Sequence, residues 1–205
     1  MIVIVDYGMG NLRSVQKAVE YLGVSVRLSD SPGMIQKATK LIFPGVGHFG
    51  KAAQELKKRK IFKLLQERIY EGIPFFGICL GMQLLLEESE EAEGIKGLGI
   101  IKGRVRRFRG RLIVPHMGWN SVKFQNPKSK IKNNLFRGVR PNSYFYFAHS
   151  YYCVPRQRDV VLATTHYSRE FVSAFHKKNI WAIQFHPEKS QNLGLRLLNN
   201  FLTLC

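Results

Sequence analysis

Residues 74–86 read PFFGICLGMQLLL, and this stretch decides the fold. Pro74 to Ile78 is a short apolar run of the kind that forms a fully buried strand, and a helix through Leu84, Leu85 and Leu86 follows it directly. Between them Gly77-Ile78-Cys79-Leu80-Gly81 has the form G-x-C-x-G, the cysteine version of a nucleophile elbow. The two glycines permit a tight strand-to-helix turn, because a Cβ at either position would meet neighbouring backbone. The turn pushes the sulfur out at the carboxyl edge of a sheet, where the N–H groups opening the next helix favour thiolate over thiol. The competing reading is a buried structural cysteine between packing glycines, and it is the one adopted for Cys153 and Cys205, which lack this context.

Working outward, Ile2 to Val5 is another apolar run, ending at Asp6-Tyr7-Gly8-Met9-Gly10. Asn11 is placed to cap a helix carrying Leu12, Val15, Val19 and Leu22, which Gly23 stops. Val24 to Leu28 and Leu41 to Phe43 read as strands, the latter closed by Pro44-Gly45. One long helix is expected from about His48 to Tyr70, with Leu56, Phe62, Leu65 and Ile69 toward the core. Strand–helix alternation with apolar strands predicts an α/β fold: a mostly parallel central sheet covered by helices on both faces. After Gly97 short alternating segments dominate, with Val105, Phe108, Ile113, Val122, Phe124 and Tyr144–Phe147 as strand positions. Antiparallel strands therefore extend the sheet in the second half, within a single domain spanning 1–205, and Leu193 to Leu202 is helical. Lys128 to Asn134 (KSKIKNN) is the expected mobile surface loop.

With 205 residues, 45% of them hydrophobic and 12% aromatic, the chain can bury a substantial core, which excludes disorder. No apolar run is long enough to span a bilayer, and the start, MIVIVDYGMGN, lacks the basic segment of a signal peptide. Three scattered cysteines give no disulfide framework and no zinc-type pair, so a soluble, reducing, cytoplasmic setting is expected. The net charge of +18 is unevenly spread: between Gly94 and Arg158 there are fifteen Lys and Arg and no acid, while Glu87, Glu88, Glu90, Glu91 and Glu93 cluster just before. That basic block fits nucleic acid, an anionic metabolite, an acidic protein surface or plain solvation, and charge alone does not choose.

A nucleophilic cysteine needs a base, and the base needs an orienter. Of six histidines, His186 ends the apolar run Ile180–Phe185 and precedes Pro187-Glu188. In an extended segment residues i and i+2 share a side, which sets Glu188 beside His186 and leaves the other ring nitrogen for sulfur. Phe43-Pro44-Gly45-Val46-Gly47-His48 is a second strand-to-helix loop whose N–H groups can stabilise an oxyanion. It lacks the Lys-Ser/Thr of a phosphate loop, and Gly8-x-Gly10 lacks the third glycine of a dinucleotide fingerprint. No histidine pair has zinc-site spacing, so no metal is expected.

PGVG at 44–47, GICLGMQ at 77–83 and FHPE at 185–188, in that order, resemble the class I glutamine amidotransferases of the triad type, over essentially the whole chain. PGVGHFG (44–50), LLLEESEEAEG (84–94), PHMGWN (115–120) and HPEKS (186–190) resemble one branch of them, the glutaminase subunits of imidazole glycerol phosphate synthase. The resemblance implies a flavodoxin-like fold and hydrolysis of L-glutamine to glutamate and ammonia, with no cofactor. The ammonia would be channelled, in a heterodimer, to a cyclase/synthase subunit that makes imidazole glycerol phosphate and AICAR in histidine biosynthesis. It makes Cys79 the nucleophile, His186 the acid/base and Glu188 its orienter, with oxyanion donors from Leu80 and the loop of Gly45, Val46 and Gly47. It assigns substrate contacts to Gln83, Glu91 and the backbone of His149, Ser150 and Tyr151, the other members of the acidic run being solvated. It places the partner at the site rim, on Asn11, Trp119, Asn120, Tyr146 and Lys189, although the residues alone would put Trp119 in the core.

Three other readings stand beside this one: a paralogous subunit feeding ammonia to a sugar acceptor in surface-polysaccharide synthesis, a basic nucleic-acid-binding module, and another kind of cysteine hydrolase. The last two leave PHMGWN and HPEKS unexplained. No membrane association is expected.

Overall fold

The apolar runs of the first half become parallel strands alternating with helices in the computed structural model, which describes residues 1–124 and 135–205. In order these are β1 (Ile2–Val5), α1 (Leu12–Tyr21), β2 (Val26–Ser29), α2 (Pro32–Gln36), β3 (Lys40–Gly45), α3 (Phe49–Lys58), α4 (Phe62–Tyr70), β4 (Phe75–Cys79) and α5 (Leu80–Leu84). The second half supplies β5 (Glu88–Ser89), β6 (Gly103–Arg107), β7 (His116–Phe124), β8 (Ser143–His149), β9 (Tyr151–Pro155), β10 (Val161–Tyr167), β11 (Arg169–Lys177), β12 (Ile180–Ile183) and α6 (Gln191–Leu204). The strands run β2-β1-β3-β4-β12, all parallel, in the flavodoxin-like order. Antiparallel β11, β10, β7 and β8 extend that sheet, and β9 joins β11 to β6.

Alternation along each parallel strand divides its side chains between two cores. Val3, Val5, Leu41, Phe43 and Phe75 pack with Ile35 of α2, Ala52 and Leu56 of α3, and Leu65 and Ile69 of α4. Ile4, Ile42, Phe76 and Ile78 pack with Val15 and Val19 of α1 and Leu197 and Phe201 of α6. Each such side chain, removed from water on either face, contributes roughly 1.5–3 kcal/mol, which is why these strands carry no polar face. Lys40, at the start of β3, donates from Nζ to the carbonyls of Phe201 and Leu202 (3.1 and 2.8 Å) and so ties off the end of α6.

Several expectations change in detail. The single helix over His48–Tyr70 is two helices, broken at Arg59–Ile61. Lys60 takes φ +61°, its N–H reaches the Lys57 carbonyl, and the Ile61 N–H reaches back to Leu56. That is a Schellman ending with lysine where glycine is usual, so no breaker residue announces it. The second strand starts at Val26 rather than Val24, because Val24 N–H bonds back to Val19 at the end of α1. Phe108 and Ile113 lie outside strands: Phe108 is buried in an aromatic cluster, and Ile113 is exposed. The loop expected at Lys128–Asn134 lies outside the described residues.

The acidic run is only partly solvated: Glu88 and Glu93 are exposed, whereas Glu87 and Glu90 are half-buried. β5 pairs parallel with β6, setting the acids against the basic block. Glu87 meets Lys102 (3.1 Å) and Arg156 (3.7 Å), Glu88 meets Lys96 (3.0 Å), and Glu90 meets Arg106 (3.3 Å) and Arg109 (3.4 Å). Backbone N–H groups complete the clamp, Gly103 donating to Glu87 at 2.8 Å and Arg107 to Glu90 at 3.0 Å. These N–H bonds and basic neighbours lower the pKa of both carboxyls.

Candidate active site

Three chain segments far apart in sequence meet because their strands are neighbours. β4 lies between β3 and β12, with Gly45 opposite Cys79 and Ile183 opposite Ile78. The elbow, the glycine loop and the His-Pro-Glu segment therefore leave the same carboxyl edge of the sheet side by side, where open α/β sheets hold ligands.

Cys79 adopts φ +54° and ψ −107°, a conformation that side chains other than glycine's rarely occupy, and it is 5% exposed. The surrounding packing enforces it. A Cβ on Gly81 would strike the Phe43 carbonyl, and one on Gly77 would come within 3.1 Å of the Gly81 carbonyl oxygen. Leu80 opens α5, so its N–H is among those with no acceptor inside the helix.

His186 is held by its backbone, which donates to the Tyr146 carbonyl at 2.8 Å and accepts from Ser190 Oγ at 2.6 Å. Its Nδ1 meets Glu188 Oε1 at 2.8 Å. Strand alternation is not the reason: β12 ends at Ile183, and Pro187–Lys189 is a 3-10 turn that curls the carboxylate back to the ring. Burial is the largest influence on His186 and disfavours its charged form. The anionic Cys79 sulfur, then Glu188, outweigh it together and raise the imidazole to about 10. Nε2 is buried with no hydrogen-bond partner, as is Glu188 Oε2.

The glycine loop rests on the first loop of the chain. A Cβ on Gly45 would run into the Tyr7 hydroxyl, and one on Gly10 would lie 3.2 Å from Gly45 Cα and 3.3 Å from Val46 N. The Gly8-Met9-Gly10 turn, which signals nothing by spacing, is therefore the floor on which Gly45, Val46 and Gly47 sit. Val46 is exposed, and Gly47 takes φ +107°. His48 is no part of the chemistry: its Nδ1 caps α3, accepting from Gly50 N (3.0 Å) and Lys51 N (3.4 Å).

Glu91 stands at the same helix end, accepting from Phe49 N at 2.7 Å. Burial first, and then the Glu91 charge, raise the pKa of Tyr151. Gln83 is buried, its amide donating to the Tyr151 carbonyl (3.0 Å) and to Gln184 Oε1 (3.1 Å). The Tyr151 carbonyl also takes His149 Nδ1 at 2.7 Å, and the Ser150 carbonyl takes Phe108 N at 3.1 Å. Both carbonyls are thus engaged within the chain.

Trp119 is 47% exposed, which removes the core reading. It faces Tyr146 across the β7–β8 ladder in an edge contact (6.2 Å), and Lys189 Nζ lies 5.4 Å from the Tyr146 ring. The Tyr146 carbonyl holds His186, so this exposed cluster adjoins the histidine. Asn11 is exposed at the start of α1, occupying the cap position without a capping side-chain bond. Asn120 points the other way from Trp119, bonding to His116 Nε2 (3.2 Å) and the His166 carbonyl (3.0 Å).

Sequence reasoning passed over Gln184, whose Nε2 lies 3.6 Å from Cys79 Sγ. Its signal was available: a glutamine inside the otherwise apolar run Ile180–Phe185. Tyr7 was passed over too, a fully buried residue whose hydroxyl has no partner and whose ionisation burial and the Cys79 charge oppose. Among the described residues no group of three or more His, Cys, Asp or Glu is arranged to hold a metal ion, and no helix is long and apolar enough to cross a membrane.

The family model described as "Glutamine amidotransferase class-I" matches residues 3–205. The imidazole glycerol phosphate synthase subunit HisH of Methanocaldococcus jannaschii is 49% identical over 207 residues, covering 100% of both chains. Its counterpart in Moorella thermoacetica is 46% identical over 200 residues, covering 98% of this chain and 93% of that one. Among solved structures, a glutamine amidotransferase from Thermotoga maritima superposes with a TM-score of 0.65 at 16% identity, over 98% of this chain and 81% of that one. At that identity the likeness concerns the fold alone.

Proposed function

Since this chain belongs to the class-I glutamine amidotransferases and, within them, to the HisH subunits of imidazole glycerol phosphate synthase, we propose that it hydrolyses L-glutamine and passes the ammonia to a cyclase subunit. The observation that carries the chemistry is the buried Cys79–His186–Glu188 arrangement at one sheet edge, in which sulfur and carboxylate together keep the imidazole protonated against its burial. Cys79 Sγ attacks the carboxamide carbon of glutamine, forming a C–S bond while the carbonyl electron pair moves to oxygen. Leu80 N–H and the loop of Gly45, Val46 and Gly47 receive that charge. His186 protonates the departing nitrogen, the C–N bond breaks, and ammonia leaves. The ring then takes a proton from water as its oxygen attacks the thioester, and C–S cleavage returns the thiolate with glutamate. Glu188 holds the ring's tautomer throughout. Glu91 and Gln83 bind the amino-acid end of the substrate, together with the 149–151 backbone.

The partner surface is the cluster of Trp119, Tyr146 and Lys189 with the exposed Asn11, its aromatic side chains being of the kind enriched at interface centres; Asn120, turned to the other face of β7, supports the strand that carries Trp119. The whole chain acts as one domain, in the cytoplasm, within histidine biosynthesis. A sugar acceptor is not favoured, because the relatives across the full length are synthase subunits of this one kind. The test is to co-purify the chain with the proteins it binds and to assay the pair with glutamine. A cyclase partner and glutaminase stimulated by that partner and its ligand are expected. Full activity of the chain alone, or co-purification with a sugar-modifying synthase, overturns the assignment.

A further inference from the structure

A continuous file of hydrogen bonds runs from β7 to the nucleophile. Asn120 Nδ2 meets His116 Nε2 (3.2 Å), His116 Nδ1 meets His149 Nε2 (3.0 Å), and His149 Nδ1 meets the Tyr151 carbonyl (2.7 Å). From that carbonyl it continues through Gln83 Nε2 (3.0 Å) to Gln184 Oε1 (3.1 Å), and Gln184 Nε2 ends it at Cys79 Sγ (3.6 Å).

Two backbone carbonyls fix the sense of every link, because a carbonyl can only accept. The His166 carbonyl takes Asn120 Nδ2, while Asn120 Oδ1 takes the Ser121 N–H (2.8 Å), so the Asn120 amide cannot turn over. His116 Nε2 must then accept, which puts its proton on Nδ1 and makes His149 Nε2 an acceptor in turn. His149 keeps its proton on Nδ1 for the Tyr151 carbonyl. That carbonyl also demands the NH2 of Gln83, whose second hydrogen goes to Gln184 Oε1. Gln184 is left with its NH2 toward sulfur. Turned over, it would set oxygen against the sulfur and NH2 against NH2.

We propose that Gln184 is a positioning residue for the nucleophile: its Nε2–H donates to Cys79 Sγ, favours the thiolate and aims it, and Gln83 with the Tyr151 carbonyl locks the amide in that sense. A neutral donor suits this place. His186 supplies the positive charge facing the sulfur, while Tyr7 and Cys153 face it as acids whose ionisation the sulfur anion opposes. A second cation would stabilise the thiolate at the expense of its nucleophilicity, whereas an amide orients it at little such cost. The residue is wholly buried, so the donor needs no competition with water.

This inference rests on Cys79 being the glutaminase nucleophile, and the test separates the two. Iodoacetamide alkylation of the full-length chain is followed against pH, the Cys79 peptide being resolved from those of Cys153 and Cys205 by mass spectrometry. Gln184→Met, close in shape but without a donor, is expected to move the alkylation midpoint up by about one pH unit and lower kcat about tenfold, with KM within about twofold. Gln184→Glu, which puts oxygen toward sulfur, is expected to move it further, and it serves if the methionine variant does not fold. Gln83→Met, which unlocks the amide, is expected to shift the midpoint by less. A wild-type midpoint in both Gln184 variants of an active enzyme overturns the role of Gln184. A Gln184-dependent midpoint in a wild-type chain without glutaminase, alone or with its partner, leaves that role standing and overturns the proposed function.

Discussion

Acid should unfold this protein through two histidines that do no chemistry. His116 and His149 are 3% and 6% exposed, packed among Phe108, Phe147, Tyr167 and Phe171. Burial lowers His116 from 6.5 to about 4, and burial lowers His149 to about 3 although the Tyr151 carbonyl opposes it by favouring the charged ring. Because the folded values lie below the unfolded one, the unfolded chain binds more protons once the pH drops below about 6.5. Stability is therefore lost as the pH falls toward the folded values, and retained above. Between pH 7 and pH 5 each unfolded ring gains a proton that its folded counterpart refuses. At about 1.4 kcal/mol per pH unit over the roughly 1.5 units below its ordinary value, that is about 2 kcal/mol per ring and about 4 kcal/mol for the pair. The assay is urea unfolding at pH 7, 6 and 5 of the wild type and of the double variant His116→Phe/His149→Phe. The lowered carboxyls Glu87 and Glu90 destabilise both proteins alike in acid, so the difference between the two slopes isolates the histidines. Parallel curves would refute the claim that these rings are buried neutral, and with it the tautomers on which the file to Cys79 depends.

Three other outcomes are expected. Cys79→Ala should abolish glutamine hydrolysis while the complex with its cyclase partner still uses free ammonia; equal loss of both activities would break the division of labour. Lys60→Gly should raise stability by roughly 0.5–1 kcal/mol, seen as a higher urea midpoint, because a lysine at φ +61° carries a left-handed penalty that glycine escapes. Trp119→Ala should weaken partner binding at least about tenfold by calorimetry while leaving the chain's melting temperature within about 2 °C, since an exposed anchor contributes to docking more than to the core. A collapsed melting temperature would return Trp119 to a structural role.

The fold was legible wherever burial on both faces left a continuous apolar run. Ile2–Val5, Leu41–Phe43, Phe75–Ile78 and Ile180–Ile183 all became parallel strands, since runs this short and wholly apolar suit a strand buried on both faces. The break at Lys60 was not legible, because a Schellman ending built on lysine differs from a helix interior only in one dihedral angle. Strand boundaries in the second half were obscured by aromatic residues that are buried without being in strands, Phe108 above all.

The site divides along the same line. By itself the sequence determined the elbow, because glycine flanking a cysteine is a local steric requirement, and it determined that His186 and Glu188 would be near, because only Pro187 separates them. Only the tertiary structure decided what surrounds that pair. Adjacency of β3, β4 and β12 brings Gly45 to Cys79, and packing of two loops puts Tyr7 and Gly10 beneath Gly45. Pairing of β5 with β6 turns the clustered acids into counterions for the acid-free stretch. Gln184 reaches the sulfur only because a buried amide must take the orientation that its partners' fixed carbonyls allow. Such facts depend on groups distant in sequence sharing one dry volume, where each donor must find an acceptor, and no local pattern records that constraint.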